Sequence, residues 1–329
     1  MRRDKILILT NSQDNHHANI VIKKIRRKGA KVFRFNVDEM IQGKIRMQVN
    51  VKGNKYDCVI KNKKQVLNLR EVKSVWNRRP FEHWNFKIRD LDQKRYAEQE
   101  LKTFLNDIWL TLGPEVFWMN MPENQERAMK KIFQLKLAKE LQMRIPETLV
   151  TNNPDDVIKF YNKHKNGIIY KPMHIGLIAD EKKAYVIQTN LIKKPHLKKL
   201  KLITQSPSLF QEHISKKYEM RITVVGKRIF PVKIHSQEFA ETKVDFRDLK
   251  KILSLKYEPT TIPVDVKRFC FQIIKKLGLV FGAFDFAVTE EDKYVFFEVN
   301  PHGQWYWLEE ATGVLMSDAI ADILINEGR

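Results

Sequence analysis

Apolar residues follow two rhythms along this chain, and the switches between them mark out its elements. Residues 5–10, KILILT, form a nearly unbroken apolar run of strand length, as expected of a strand covered on both faces. HANIVIKKIRRKG repeats its apolar positions at helical spacing and stops at Gly29, where a glycine closes a helix well. AKVFRFNVDEM supplies the next strand, and this β-α-β start predicts an open α/β layer of about 110 residues. VNVKG and YDCVIK alternate like the arms of a hairpin ahead of VKSVWNRRP. A charged helical region then spans 90–112 and breaks at Gly113-Pro114.

A second unit is expected from Val116 onward. NQERAMKKIFQLKLAKELQM reads as one amphipathic helix, ended by Ile145-Pro146 and followed by the strand ETLVT. Asn153-Pro154-Asp155 opens another helix, GIIYKPM is a strand pattern, and the Lys-rich residues 193–205 read as exposed. A third unit gathers the strands LFQEHI, EMRITVVG and KRIFPVKIHS, a helix over 263–277, and the strands FGAFDFAV and KYVFFEVN. The expected division is therefore 1–115, 116–205 and 206–329, with no internal repeat and no low-complexity linker.

Composition narrows the class. The 329 residues are 43% hydrophobic and 30% charged, which fits globular units with real cores and excludes a disordered chain. No apolar run approaches the roughly 18–20 residues that span a bilayer. The basic, then apolar start runs into polar NSQDNHH without a small-residue cleavage site, so KILILT reads as a strand and not as an export signal. Cys58 and Cys270 make neither a disulfide framework nor a zinc spacing, which favours a reducing cytoplasm. With 60 Lys+Arg against 39 Asp+Glu the net charge is +21, an invitation to a polyanion. The basic residues are scattered (KKIRRKGAK, KNKKQ, KKPHLKKLK) and form no nucleic-acid motif. An acidic peptide, or simply a solvated surface, accounts for them equally well.

Chemistry gathers near the end, in FFEVNPHGQWYWLE at 296–309. Glu298 and Asn300 stand two apart on a strand and so share a face, and an antiparallel neighbour carrying Asp285 would join them. Three hard oxygen ligands suit Mg²⁺, which takes one or two carboxylates and completes its shell with phosphate oxygens. The plainer reading has each acid hydrogen-bonding locally at a strand end. Lys171 ends the apolar strand IIYKPM, within reach of a phosphate, whereas Lys136 on the earlier helix reads by itself as a solvated lysine. LFQEHI ends in a turn where Gln211, Glu212 and Ile214 would offer backbone groups to a base, and Glu219 and Arg221 follow on EMRITVV. Neither GxxxxGK nor GxGxxG occurs, so phosphate binding of the P-loop or Rossmann type is excluded.

This ordered set resembles the ATP-grasp superfamily over roughly residues 116–325, and the preceding α/β layer matches the domain that usually comes before it. The resemblance implies an α/β and α+β fold: an N-terminal open α/β pre-ATP-grasp domain, a central domain and a C-terminal ATP-grasp domain, with ATP held between the last two. It puts Lys136 and Lys171 on phosphates, Gln211, Glu212 and Ile214 at the adenine hinge, and Glu219 on the ribose. Asp285, Glu298 and Asn300 would hold Mg²⁺. Two departures stand out. PMHIGLIAD, after Lys171, has a single glycine where many members have a glycine-rich lid, and Ala283 stands where D-alanine ligases carry an arginine. Arg221 or Lys233 would have to supply that charge.

NPHGQWYWLE, VWNRRP, YEMRI, VKIHSQ and VDFR are similar, more narrowly, to the graspetide synthetases, the microviridin-type peptide macrocyclases. That likeness implies a ribosomally made precursor with a leader and an acidic core. Its Asp or Glu side chains would be activated by ATP and joined to Thr or Ser as ω-esters, or to Lys as ω-amides. It further implies a leader groove around the central domain and a homodimer. Arg78 and Arg79 are then carboxylate contacts or, equally, a structural pair, and Trp305, Tyr306 and Trp307 are a wall of the site or ordinary core. VDFR also resembles the DFR of ribosomal-protein glutamate ligases, which puts Asp245 and Arg247 near the acceptor; His235 and Asp245 are the candidate general bases. Two rival readings stay open: an ATP-grasp ligase that adds a free amino acid, and a non-catalytic protein that binds polyanions.

Overall fold

Lys5–Thr10 is buried almost throughout and pairs in parallel with Lys31–Asn36 on one side and Val72–Asn77 on the other, which explains its continuous apolar run. The computed structural model describes residues 3–81, 84–173, 177–179, 184–247 and 251–327. In it Phe117–Met119 adds a fourth parallel strand beside Val72–Asn77. The helix Asn15–Arg27 lays Ala18, Val21, Ile22 and Ile25 on this sheet, and Gly29 turns the chain with a φ of +76°. The two alternating segments form the expected hairpin, Arg46–Lys52 with Lys55–Lys61, extended by Val66–Asn68.

The middle layer is antiparallel, in the order Asn190–Leu191, Ile168–Lys171, Ser208–Glu212, Thr148–Thr151. The helix Pro154–Lys163 covers it, packing Val157 and Phe160 against Ile168 and Phe210. The third layer is a five-stranded antiparallel sheet, Tyr257–Pro259, Arg228–Ile234, Tyr218–Val225, Phe281–Val288, Tyr294–Asn300, backed by the helix Val264–Leu277.

Strands pair across both expected boundaries: Phe117–Met119 joins the first sheet and Ser208–Glu212 lies inside the middle one. The single helix expected over 124–143 is two, Pro122–Ala128 and Lys131–Glu140, because Lys130 adopts an extended backbone. The Gln134 amide caps the break by donating to the Ala128 carbonyl. The last helix, Met316–Asn326, returns to the first layer. There Ile320 and Leu324 share a core with Val21 and Ile25, and Lys24 pairs with Asp318. Among the described residues no helix is long and apolar enough to cross a membrane.

Candidate active site

The third sheet has two unlike faces. Met220, Ile222, Phe284, Phe286 and Phe296 point at the helix Val264–Leu277 and form an apolar core. The other face carries Glu219, Arg221, Asp285 and Glu298, with Glu219 near the start of its strand and the other three farther in. Strict alternation along Tyr294–Asn300 would put Glu298 on the side of Phe296. It does not, because a bulge interrupts the register between Asp285 and Phe286: Asp285 faces Glu298 while Phe286 faces Phe296, leaving Phe297 over. Phe297 and Glu298 therefore both open toward the cavity between the middle and third sheets.

Arg221 lies directly opposite Asp285 on the neighbouring strand and binds it with two hydrogen bonds, Nε to Oδ1 at 2.6 Å and Nη2 to Oδ2 at 3.3 Å. Its Nη1 donates to the Gln304 carbonyl, and its plane rests near the rings of Phe246 and Trp307. Glu298 is held by two lysines, Lys131 at 2.7 Å and Lys171 at 3.0 Å. Burial pushes the Asp285 carboxyl upward, against the pull of Arg221. At Glu298 burial acts the same way, but Lys171 and Lys131 outweigh it and hold the group well below the usual carboxylate range.

Lys131 is the residue that sequence reasoning missed. Its helix is clamped to the sheet edge by Gln134, whose amide pairs with the Val299 backbone like one more strand: the Val299 amide donates to Oε1 at 2.8 Å and Nε2 donates to the Val299 carbonyl at 2.9 Å. Lys131 stands one turn earlier on the same face, beside Glu298. The helical spacing Lys131, Gln134, Leu135, Ala138 was the available signal. Lys136 lies on the opposite face, exposed and paired with Glu140, outside the cluster.

The cavity is bounded by Lys171, Gln211 and Glu212 on the middle sheet, by Ile214 just beyond it, and by Glu219, Asp285 and Glu298 on the third. Gln211 is anchored through Nε2 to Thr148 Oγ1 at 3.0 Å, and Glu212 accepts from the Glu147 amide. Ile214 lines the same cavity, and no backbone hydrogen bond to its amide or carbonyl is seen among the described residues. Asp245 and Arg247 close another wall as a bidentate pair, at 2.8 and 2.7 Å, which keeps Asp245 below the carboxylate range despite its burial.

Other expected residues lie elsewhere. Lys233 sits opposite Met220, on the helix face, with its ammonium 4.3 Å from the Tyr218 ring centroid. His235 pairs with Glu258 at the sheet edge. Neither meets Arg221, which is the cation paired with Asp285 among the described residues, with Arg247 acting on it from farther off. Ala283 has to be small, because Gly303 packs on it so closely that an added Cβ would collide with the alanine's. Arg78 is buried and donates to the carbonyls of His302 and Gly303, at 2.6 and 3.2 Å, and Arg79 donates to His302 as well. Both arginines thus hold the loop that follows Asn300. Trp305 is fully buried core, whereas Trp307 flanks Arg221. Residues 174–176 and 180 of PMHIGLIAD lie outside the described residues.

Among the described residues no three His, Cys, Asp or Glu side chains cluster as a ready metal cage. The candidate donor set is the buried Asp285 carboxylate, the largely covered Glu298 carboxylate and the Asn300 amide, whose Oδ1 also accepts from the His302 amide at 2.9 Å. Among the described residues the carboxylates have cations for side-chain partners, so a hard cation with phosphate oxygens would replace like with like. These residues fit Mg²⁺ carried in with a polyphosphate.

Comparison with known proteins follows the same lines. A family model described as the MvdD pre-ATP grasp domain matches residues 5–126. No match was found among curated proteins. A Chryseobacterium gregarium RiPP-associated ATP-grasp ligase, solved with ADP and a leader and core peptide, is 29% identical with a TM-score of 0.90 over 98% of this chain and 97% of that one. The macrocyclase MdnC of Microcystis aeruginosa, bound with precursor peptide MdnA, is 31% identical with a TM-score of 0.87 over 98% and 99%. MdnB of the same organism is 29% identical with a TM-score of 0.81, again over 98% and 99%.

Proposed function

The chain belongs to the ATP-grasp macrocyclases that act on ribosomal precursor peptides, and from that membership we propose that it uses ATP to close side-chain rings in such a peptide. The observation that carries the reading is the Asp285–Glu298 pair facing across a bulge, with Arg221, Lys131 and Lys171 around it and Ile214 lining the same cavity.

A carboxylate does not condense with an alcohol or amine in water at a useful rate, because oxide is a poor leaving group. Transfer of the γ-phosphoryl group from ATP breaks its bond to the β-phosphate oxygen and makes one to the peptide carboxylate. A Thr or Ser hydroxyl or a Lys amine of the same peptide then attacks the acyl carbon, phosphate leaves, and the peptide has lost one water. Holding both partners in one bound chain raises their effective concentration. When bound at Asp285, Glu298 and Asn300, Mg²⁺ supplies neutralising charge for the phosphates. Lys131 and Lys171, released from Glu298, take up phosphate oxygens, and Arg221 faces the transferred group. The Gln211–Ile214 hinge reads the adenine edge, Glu219 the ribose, and Asp245 with Arg247 the acceptor.

The test is incubation with ATP, Mg²⁺ and a synthetic acidic precursor containing Thr and Lys, read by mass spectrometry. Loss of one water per bond supports the reading. A gain in mass on adding free glutamate would instead identify an amino-acid ligase. The same reading makes the enzyme a homodimer of the bacterial cytoplasm, supported by the family likeness and by the two buried free cysteines; light scattering checks the first point.

A further inference from the structure

Lys216 is buried in the lining of the same cavity, between two parts of the site. Its ammonium lies 2.7 Å from Glu219 Oε1, donates to the Val244 carbonyl at 3.0 Å, and sits 5.7 Å from the Phe297 ring centroid. The ammonium is thus set among three segments: an ion pair to the Tyr218–Val225 strand, a hydrogen bond to the loop leading into Asp245 and Arg247, and the Phe297 ring at the bulge beside Glu298. Its side chain is only 3% exposed. A charge so enclosed is costly unless every contact is made, so the positions of Glu219 and Val244 are tied to one another through it.

We propose that Lys216 is a positioning residue that couples nucleotide binding to the acceptor loop. The proposal rests on the reading of Glu219 as the ribose acid and of Asp245 and Arg247 as acceptor contacts. When a nucleotide's hydroxyls take Glu219, the lysine's strongest acceptor is engaged elsewhere and its bond to the Val244 carbonyl tightens, ordering the loop before the peptide arrives. Phe297, packed under the same ammonium, carries the change to the metal-binding strand.

Hydrogen–deuterium exchange on the full chain, with and without ADP and Mg²⁺, tests this. In the wild type ADP should slow exchange both at residues 212–214 and at residues 244–247, the latter about fivefold or more, the lower end of usual site-to-site coupling. Lys216→Met should keep the protection at 212–214 and lose that at 244–247. Lys216→Gln, which still donates to Val244, should recover part of it. A merely structural lysine would alter exchange at 244–247 equally with and without ADP. Protection of 244–247 by ADP that survives in Lys216→Met, or is absent from the wild type, overturns the proposal. So does loss of ADP binding in both folded variants, which would make Lys216 part of the nucleotide site itself. Because no precursor is needed, this outcome is independent of whether the wild type closes rings.

Discussion

The two faces of the third sheet are built from the same strands yet obey different rules. One face packs Phe284, Phe286 and Phe296 against Phe269 of the covering helix, with ring centroids 5.2 Å apart for Phe269 and Phe296. The other buries Asp285 and Glu298 and compensates them with Arg221, Lys131 and Lys171. The apolar face gains by area alone and tolerates any partner of the right shape. The charged face is worth nothing to stability unless each ion meets its partner, so a second helix, a loop and a second sheet all have to converge on it. Stability sits on the first face, and the capacity to hold a phosphate and a metal sits on the second.

The largest effect is expected where that capacity concentrates. Glu298→Gln keeps the shape but removes the charge that Lys131, Lys171 and a metal share, so product formation should fall about a hundredfold to a thousandfold. Single-turnover mass spectrometry beside a circular dichroism spectrum measures it. Full activity would remove Glu298 from the metal site. Phe286→Ala is the matching change on the other face. It should cost about 3–5 kcal/mol in denaturant unfolding, while ADP affinity of the folded protein stays as in the wild type. Lost affinity at unchanged stability would show that the two faces do not divide the roles in this way.

Which parts could be read from the chain alone follows from the same contrast. The helix face is a repeating apolar pattern, so the strands Tyr218–Val225 and Phe281–Val288 and the helix Val264–Leu277 were expected where they are found. Glu298, Asn300 and Asp285 were legible as chemistry on strands. The bulge was not, because YVFFEVN alternates acceptably in either register, and only pairing with Phe281–Val288 decides where the extra residue goes. Lys233 was misplaced for a related reason: one residue of parity separates it from Val232, the neighbour of Arg221, and so puts it on the opposite face. The arginines of WNRRP read equally as carboxylate contacts or as a structural pair; both donate to carbonyls of a distant loop and Arg78 lies 3.4 Å from Asp14, long-range contacts that leave no trace in local sequence.

That loop also makes the charged side sensitive to acid. His17 Nε2 accepts from the amides of Trp305 and Tyr306, at 3.3 and 3.4 Å, and Nδ1 faces Asp14. Burial lowers the histidine from its ordinary 6.5 to about 4. Between those values the unfolded chain binds the proton and the folded one does not, so stability rises with pH across that window and is lost as pH falls through it. The expected loss is about 2 kcal/mol from neutral pH to about pH 5, seen as a lower melting temperature. His302, lowered by burial to about 3, acts with the same sign. His17→Gln, which keeps an acceptor but cannot titrate, should flatten the profile by its own share. An unchanged profile would mean that His17 does not hold the loop.

The smallest effects come from the two lysines of the Lys131–Glu140 helix and test how local the charged face is. Lys131 stands 2.7 Å from Glu298, on a helix that Gln134 locks to Val299. Five residues later, and so on the far side of the helix, Lys136 pairs with Glu140 in solvent. Lys131→Met should lower kcat/KM for ATP about tenfold, the low end of what a hydrogen bond to a charged group contributes. It should also let the Glu298 carboxyl rise toward the ordinary range, because one of the cations that lower it is gone while burial remains. The acid limb of the pH–rate profile would then move to higher pH. Lys136→Ala should leave both the rate and the limb where they are, since an exposed pair of this kind is screened and contributes little. Steady-state kinetics across pH on the two variants decides it. Equal losses would mean that the helix acts through its packing or overall charge. A loss confined to Lys136→Ala would mean that the helix turns its other face to the nucleotide when the cleft closes.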